Sequence, residues 1–412
     1  MRDMGRSDDP RVQAQLDRLG GLSIQRDTLG LDAIRELLRR LGDPHKRLPP
    51  TFHVAGTNGK GSTCAFLRAM LEAEGYKVHV TTSPHLVRYN ERFRVAGKLI
   101  EDARLAELLE EVFDAAEGLG CSFFEITIAA AFVEFARVPA DACVVEVGLG
   151  GRLDATNVLE PDVLAACGIA ALGIDHEKFL LAPEDGVPQE PMARIAFEKA
   201  GIAKQGVPLV TIAQPEQEKQ AINAVANEVG AHVILASRVD ERELALPGEH
   251  QGLNAGLATA MLHSQSKIGV SDDSIAIGLQ TASWAARLHR LADGPLVQRR
   301  EVWLDGGHNA SAGTMLGAHF AGQKLHLVIG MIEGKDPQAL LMPLANSIET
   351  ITVVPVPNFP SHPVEAFGPQ TTAAKNVEEA LLNLPSDDYP VLIAGSLYLA
   401  GEVLRLNDEI PD

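Results

Sequence analysis

Residues 53–63 read His-Val-Ala-Gly-Thr-Asn-Gly-Lys-Gly-Ser-Thr, and the fold follows from what flanks them. Before them, Thr51–Val54 is a short β-prone run. After them, Cys64–Ala73 carries Phe66, Ala69, Met70 and Ala73 at helical spacing. Gly75 supplies a helix stop, and Val78–Thr82 reads as a second strand. A glycine-rich turn between a strand and a helix N-terminus is a phosphate cradle. Gly56, Gly59 and Gly61 let backbone N–H groups approach an anion, and the helix dipole favours negative charge there. Thr57 and Asn58 complete the turn. Lys60 would lie along the β- and γ-phosphates of a nucleotide, with Ser62 and Thr63 offering hydroxyls near a metal. The spacing is not that of the standard P-loop: two residues separate Gly56 from Gly59, and Gly61 follows Lys60. A turn that binds nothing is the bland alternative. The lysine, the strand and the helix all fall where phosphate binding needs them.

A chain of 412 residues is too long for one comfortable core, so two domains are expected, 1–292 and 293–412. Its 46% hydrophobic and 22% charged residues are ordinary for a soluble globular protein. A net charge of −19 argues against non-specific nucleic-acid binding, and any anionic ligand must be drawn in by local Lys and Arg. Cys64, Cys121, Cys143 and Cys167 lack metal-ligand spacing, and the latter two sit in apolar runs where a thiol is a small hydrophobe. No disulfides are expected. The first residues show no apolar signal segment and no run reaches a transmembrane length, so the cytoplasm is the expected compartment. No sizeable amphipathic repeat suggests obligate assembly, and a monomer is expected.

Ala142–Val147, Val163–Ile169, Pro208–Ile212 and His232–Ala236 read as buried strands, being largely apolar on both faces. Their alternation with helical stretches predicts an α/β fold with a large, mostly parallel sheet covered on both sides. Residues 180–192, rich in Pro and acidic residues, read as a loop. Gly294-Pro295 marks the hinge to a smaller Rossmann-like α/β domain without a dinucleotide fingerprint. Its strands are expected at Val302–Leu304, Leu325–Ile329, Thr350–Val356 and Val391–Ala394. Its helices are expected from Ser311 and at Pro337–Ile348, Val377–Leu384 and Ser396–Leu406.

Ligand sites in open α/β sheets lie beyond the carboxyl ends of strands, where strand order switches. Three features fall at such ends: Ser83 in Thr81-Thr82-Ser83-Pro84-His85, Glu146 in Val144-Val145-Glu146-Val147-Gly148, and Asp175-His176. A carboxylate in an apolar strand is costly unless paired or metal-bound, so Glu146 is hard to read as idle. A hydroxyl, a carboxylate and an imidazole can hold a divalent ion, with phosphate oxygens completing the octahedron. Taken singly, Ser83 fits a turn cap and His176 a surface histidine equally well. Gly-Leu-Gly-Gly-Arg-Leu-Asp-Ala-Thr-Asn at 148–157 follows Glu146, and its double glycine permits close approach of a ligand to backbone. The phenylalanines of Phe123-Phe124-Glu125 suit a core or the wall for a flat heteroaromatic.

Gly-Thr-Asn-Gly-Lys-Gly-Ser at 56–62, with Thr-Ser-Pro-His-Leu at 82–86, resembles the Mur ligase superfamily, and more narrowly its dihydrofolate synthase/folylpolyglutamate synthase branch. The resemblance implies that Ser83, Glu146 and His176 are magnesium ligands. It places Leu153, Asp154 and Ala155, with Phe123, Phe124 and Glu125, against the pterin part of a substrate. Phe197-Glu198-Lys199-Ala200-Gly201-Ile202 resembles a family motif whose lysine, here Lys199, is carbamylated and holds a second magnesium. The preceding 180–192 segment departs from the family, which usually has Leu-Gly-x-Thr there, so the loop's shape does not carry over. In Leu246–Asn254, Asn254 would contact the adenine end of ATP. Trp284-Ala285-Ala286-Arg287-Leu288 has alanines where the family has Pro and Gly; Arg287 matches, and a guanidinium suits phosphate. In Asp305-Gly306-Gly307-His308-Asn309, Asp305 would hold the nucleotide and His308 would face the reacting groups. Gly395-Ser396-Leu397-Tyr398 matches a closing motif. Each of these last segments, taken singly, also reads as a turn or a surface charge. Domain closure would bring Arg287 and Asp305 onto ATP.

The implied reaction is ATP-dependent amide formation. A substrate carboxylate takes the γ-phosphoryl group, giving an acyl phosphate and ADP; the amine of L-glutamate then attacks and phosphate leaves. Lys60, Lys199 and His308 are the implied catalytic residues, ATP and two magnesium ions the cofactors, and dihydropteroate, a reduced folyl-glutamate or both the acceptors. Three rivals are a Mur ligase acting on a sugar nucleotide, a P-loop switch, and a non-catalytic nucleotide-binding module. The Phe123-Phe124-Glu125 and Gly-Gly-Arg-Leu-Asp segments argue against the first. A switch would leave the ligase-type motifs accidental. Lys60, Glu146, His176 and Lys199 together argue against lost catalysis.

Overall fold

The computed structural model describes residues 7–22, 30–297 and 300–411; much of the N-terminal stretch read for a signal segment, Met1–Arg6, lies outside the described residues. The chain divides into two compact units. One runs up to Ala245 and includes Gln251–Ser283; the other takes Leu246–His250 and the chain from Trp284 onward. The expected boundary was 293. Residues 284–292 belong with the second unit because their strand, His289–Arg290, pairs antiparallel with Val302–Leu304, and because Asn407 binds the carbonyl of Ala292 and the N–H of Leu296.

The first unit is built on eight strands: β1 (Thr51–Ala55), β2 (Val78–Thr81), β3 (Arg94–Val95), β4 (Lys98–Leu99), β5 (Ala142–Glu146), β6 (Leu164–Ile169), β7 (Pro208–Thr211) and β8 (His232–Leu235). Their order is β4-β3-β2-β5-β1-β6-β7-β8, parallel from β2 to β8, with a short antiparallel edge at β3 and β4. Every residue of β1, β5 and β6 is buried, as their apolar sequence requires of strands covered on both faces. His232–Ala236 differs from its reading as a buried strand. It forms the sheet's edge, paired with β7 on one side, and Leu235 is 66% exposed. The chain crosses from β5 to β6 over β1, and this change of direction opens a crevice at the carboxyl ends of all three. Val54 pairs with both Glu146 and Gly168, so the three ends finish at one level.

The second unit holds β9 (His289–Arg290), β10 (Val302–Leu304), β11 (Leu325–Ile329), β12 (Ile348–Val353), β13 (Thr371–Ala373) and β14 (Val391–Ala394), in the order β13-β12-β11-β14-β10-β9. The helix expected over Pro337–Ile348 spans Gln338–Leu344, and Ile348 already begins β12. An apolar run shared by a helix end and a strand start carries no periodicity that separates them. The four cysteines are free and buried. Among the described residues no helix is long and apolar enough to cross a membrane.

Candidate active site

Gly59 is the N-cap of the Lys60–Ala73 helix in a left-handed conformation (φ 84°), and a Cβ there would fall 2.2 Å from Asn254 Oδ1. Only glycine meets both demands. The N–H groups of Thr57 and Asn58 both donate to Ala171 O, at 2.8 and 3.1 Å, and Thr57 Oγ1 donates to Gly173 O. The expectation that the whole turn cradles an anion therefore narrows. These two amides tie the turn to the strand-end segment after β6, which leaves the helix-start amides from Gly59 onward as the candidates for an anion. The Lys60 ammonium donates to Gly56 O at 3.1 Å and to Thr57 O at 3.4 Å, beneath the turn it would serve.

A cleft of about 260 Å³ opens at these strand ends, lined by Lys60, Asp175, His176, Leu180 and Lys199 with the Gly148–Gly150 turn. Lys199 lies on the Pro191–Ala200 helix and is 4% exposed. Burial, and then the like charge of Lys60, hold its amine down to about 7. His176 is a left-handed helix cap whose backbone N–H donates to Asp175 Oδ1 at 2.8 Å. Glu146 is 5% exposed, and its Oε2 accepts the Ser83 N–H at 3.0 Å. Of the four expected metal ligands, Ser83 is joined to Glu146 through its backbone N–H, and His176 and Lys199 line the cleft. Among the described residues no three His, Cys, Asp or Glu side chains converge as a metal cluster.

The Gly148–Asn157 turn is seated on the Lys199 helix. Arg152 N–H donates to Glu198 O at 2.7 Å, and a Cβ on Gly151 would stand 2.7 Å from that same oxygen and 3.0 Å from Lys199 Cα. Gly151→Ala should therefore lower stability by about 1–3 kcal/mol. Thermal unfolding checks this, and an unchanged midpoint would mean the turn is not seated as described. Asp154 is buried and accepts N–H groups from Leu149 and Thr156 at 2.8 and 3.0 Å, while burial pushes its carboxyl up. Thr156 Oγ1 also meets His53 Nε2 at 2.8 Å, linking this turn to β1. Phe123 is buried in the core, edge-on to Tyr89 at 6.1 Å, whereas Phe124 is half-buried with its ring against Gly148. Glu125 closes a capping box on Ser122 through Oε2; its Oε1 is buried without a partner.

Gln251, inside the Leu246–Asn254 stretch, was given no role of its own in the sequence. Gln251 donates to Ser62 Oγ at 3.3 Å and accepts from Asn254 at 2.9 Å, so it ties the Gln251–His263 helix to the first turn of the Lys60–Ala73 helix. Only its place beside Asn254 pointed to it.

In the second unit Asp305 is 1% exposed. Its Oδ2 accepts the Leu288 N–H at 2.8 Å and its Oδ1 the Gly307 N–H at 2.7 Å. Burial pushes the carboxyl up, against the pull of the Arg287 guanidinium. Ala286 and Leu288 are left-handed (φ 56° and 46°), at a cost of roughly 1–2 kcal/mol each. Ala286 stands where the family pattern has glycine, and Asp305 holds the strained turn through Leu288. His308 Nδ1 lies 3.1 Å from Gly306 O, and Asn309 caps the Ala310–His319 helix.

A mostly parallel sheet with a glycine-rich turn at its switch point, followed by a smaller α/β unit, is the fold of the Mur-type ligases. The chain is 31% identical to the dihydrofolate synthetase of Saccharomyces cerevisiae over 92% of its own length and 98% of that protein's. It belongs to the dihydrofolate synthase/folylpolyglutamate synthase family. Residues 295–406 match the family model described as "Dihydrofolate synthetase, C-terminal domain". Escherichia coli FolC in complex with DHPP and ADP superposes with a TM-score of 0.83 at 28% identity, over 96% of this chain and 97% of that one. A bifunctional folylpolyglutamate synthase/dihydrofolate synthase with Mn, AMPPNP and L-glutamate bound gives 0.80 at 28% identity, over 97% and 99%.

Proposed function

We propose that this chain is an ATP-dependent ligase that joins L-glutamate to dihydropteroate, to a reduced folyl-glutamate, or to both, through an acyl phosphate. The observation that carries the reading is the convergence of Lys60 and the buried Lys199 on one cleft at the carboxyl ends of β1, β5 and β6. A carboxylate is a poor electrophile at neutral pH. Phosphorylation turns its oxygen into a leaving group, and Lys60 stabilises charge on the phosphoryl group in transit. Phe124 and Glu125, with Leu153–Ala155, form the proposed acceptor site; the unpartnered Glu125 Oε1 is an acceptor available to a ring N–H. Asn254, Arg287 and Asp305 are the proposed nucleotide contacts, and His308 the group that orients or deprotonates the incoming amine.

The donor set suits magnesium. It comprises the Ser83 hydroxyl, the Glu146 carboxylate, the His176 imidazole and Lys199 as its carbamate. With no all-protein cluster among the described residues, substrate phosphate oxygens would complete the shell. When bound, the ions neutralise charge on the phosphates. A buried amine held near neutrality has the lone pair that addition to CO₂ requires.

Phosphate release with ATP, magnesium and L-glutamate, compared for dihydropteroate, tetrahydrofolate and no acceptor, tests the reading. Release that needs glutamate and dihydropteroate supports dihydrofolate synthase activity, and added turnover with tetrahydrofolate makes it bifunctional. Release indifferent to acceptor sinks it. Asp305→Asn should weaken ATP binding about tenfold, because hydrogen bonds to a charged group are worth roughly 1.5–3 kcal/mol. Calorimetric titration with an ATP analogue reads this, and an unchanged Kd would remove Asp305 from the nucleotide site.

A further inference from the structure

The acidic, Pro-rich segment that departs from the family pattern is fastened by charge to the helix that carries Lys199. Glu184 Oε2 accepts from Arg152 Nη2 at 2.6 Å and from Arg194 Nη2 at 2.7 Å. The same two arginines converge on Glu198. Arg152 donates to it through Nε and Nη2 at 3.1 and 2.9 Å, and Arg194 through Nε at 3.0 Å. Arg194 and Glu198 are 6% and 4% exposed, whereas Glu184 is 40% exposed. Two guanidiniums thus face two carboxylates, and only one of those carboxylates belongs to the helix. Without Glu184, a nearly buried arginine and its neighbour would share a single counter-charge one residue from Lys199.

The segment's other end reaches the cleft. His176 and Leu180 line it beside Lys199, and Glu184 follows within the same stretch. Gln189 closes the loop on itself by donating to the carbonyls of Glu184 and Val187 at 3.2 and 2.8 Å. Glu190 then caps the Lys199 helix by accepting the Ala193 N–H at 2.7 Å. Arg152 also belongs to the Gly148–Asn157 turn, so one ion-pair cluster ties together three pieces of the site: that turn, the His176–Glu184 segment and the Lys199 helix.

We propose that Glu184 is a positioning residue for the ligase reaction, acting through Arg152 and Arg194 to keep His176 and Leu180 on the same cleft as Lys199. The proposal rests on the function proposed above. Glu184 is the half-exposed partner and Glu198 still pairs with both arginines, so the loss is expected to show in turnover more than in melting. Glu184→Gln keeps the shape and removes the charge. It is expected to lower kcat about tenfold with KM for ATP nearly unchanged, as a displaced catalytic group does. Proteolysis under native conditions should cut residues 181–190 faster in the variant. Wild-type kcat with unchanged cleavage would overturn the proposal, as would a lower melting temperature with wild-type kcat and KM. If the wild-type protein shows no glutamate-dependent turnover, the proposed function fails. The latch is then judged by proteolysis, and equal cleavage of the two proteins overturns it.

Discussion

Replacing Lys60 by methionine is expected to lower kcat by about a thousandfold while leaving the thermal midpoint near that of the parent protein, on the scale of removing a preorganised charge from a developing anion. The ammonium donates to the carbonyls of Gly56 and Thr57 and, among the described residues, makes no ion pair, so its loss should leave packing intact. Methionine keeps the length of the stem along the turn. Because phosphoryl transfer is catalysed by position and charge, the loss should appear in kcat and kcat/KM together, with a smaller change in KM for ATP. Steady-state phosphate release with the acceptor saturating reads it. Activity within tenfold of wild type would show that the turn holds phosphate without Lys60 and that the proposed role is wrong.

The second large effect concerns Lys199. Burial holds its amine near 7 against an ordinary value of 10.5. The neutral amine adds to CO₂ to give a carbamate and one proton; counted from the ammonium, two protons leave and the cation becomes an anion. Lys199→Met should reduce turnover by about a hundredfold or more, the scale of losing a ligand or its support in a metal-assisted site. Wild-type enzyme prepared free of CO₂ should lose activity and regain it with bicarbonate, whereas the variant should ignore bicarbonate. Mass spectrometry of the intact site after trapping gives a readout independent of turnover. An enzyme indifferent to bicarbonate would leave Lys199 as a cation and exclude it from the metal site.

The same shift fixes a pH dependence of stability. Between about 7 and 10.5 the unfolded chain holds a proton on Lys199 that the folded chain has released. Stability contributed by this group therefore rises with pH across that window. Below about 7 both states are protonated, and the folded state carries the full cost of a buried ammonium. Denaturant unfolding at pH 6 and pH 9 should show the rise in the parent protein and lose it in Lys199→Met.

The strands and helices that frame the cleft were legible because their signals are local. Val302–Leu304, Leu325–Ile329 and Val391–Ala394 were read to the residue, since short apolar runs bounded by turn formers admit few alternatives. The misreadings have equally local causes. Ile348 belongs to β12 because nothing in an apolar run marks where helix gives way to strand. His232–Leu235 is apolar enough for a sheet interior, yet it became an edge, and edge or centre is a matter of strand order. The glycine-rich turn, Glu146 and Asp175-His176 stood out as candidates at strand ends, whereas Lys199 was singled out only by family resemblance. Gln251 did not stand out, because its partner Ser62 is remote in the chain.

The sequence by itself determined the parallel α/β architecture and the glycine-rich turn between β1 and its helix, because each rests on spacing within a few residues; the candidate groups it offered came partly from spacing and partly from family resemblance. Tertiary structure alone decided what those groups are free to do. It showed that the Thr57 and Asn58 amides are taken by Ala171, and that Asp154 serves the backbone of its own turn. It brought Lys199 into a cleft with Lys60, where desolvation resets its amine. It also assembled Glu184, Arg152, Arg194 and Glu198 into one ion-pair cluster. Hydrogen bonding, desolvation and charge pairing depend on distances between residues far apart in the chain, and only the folded chain sets those distances.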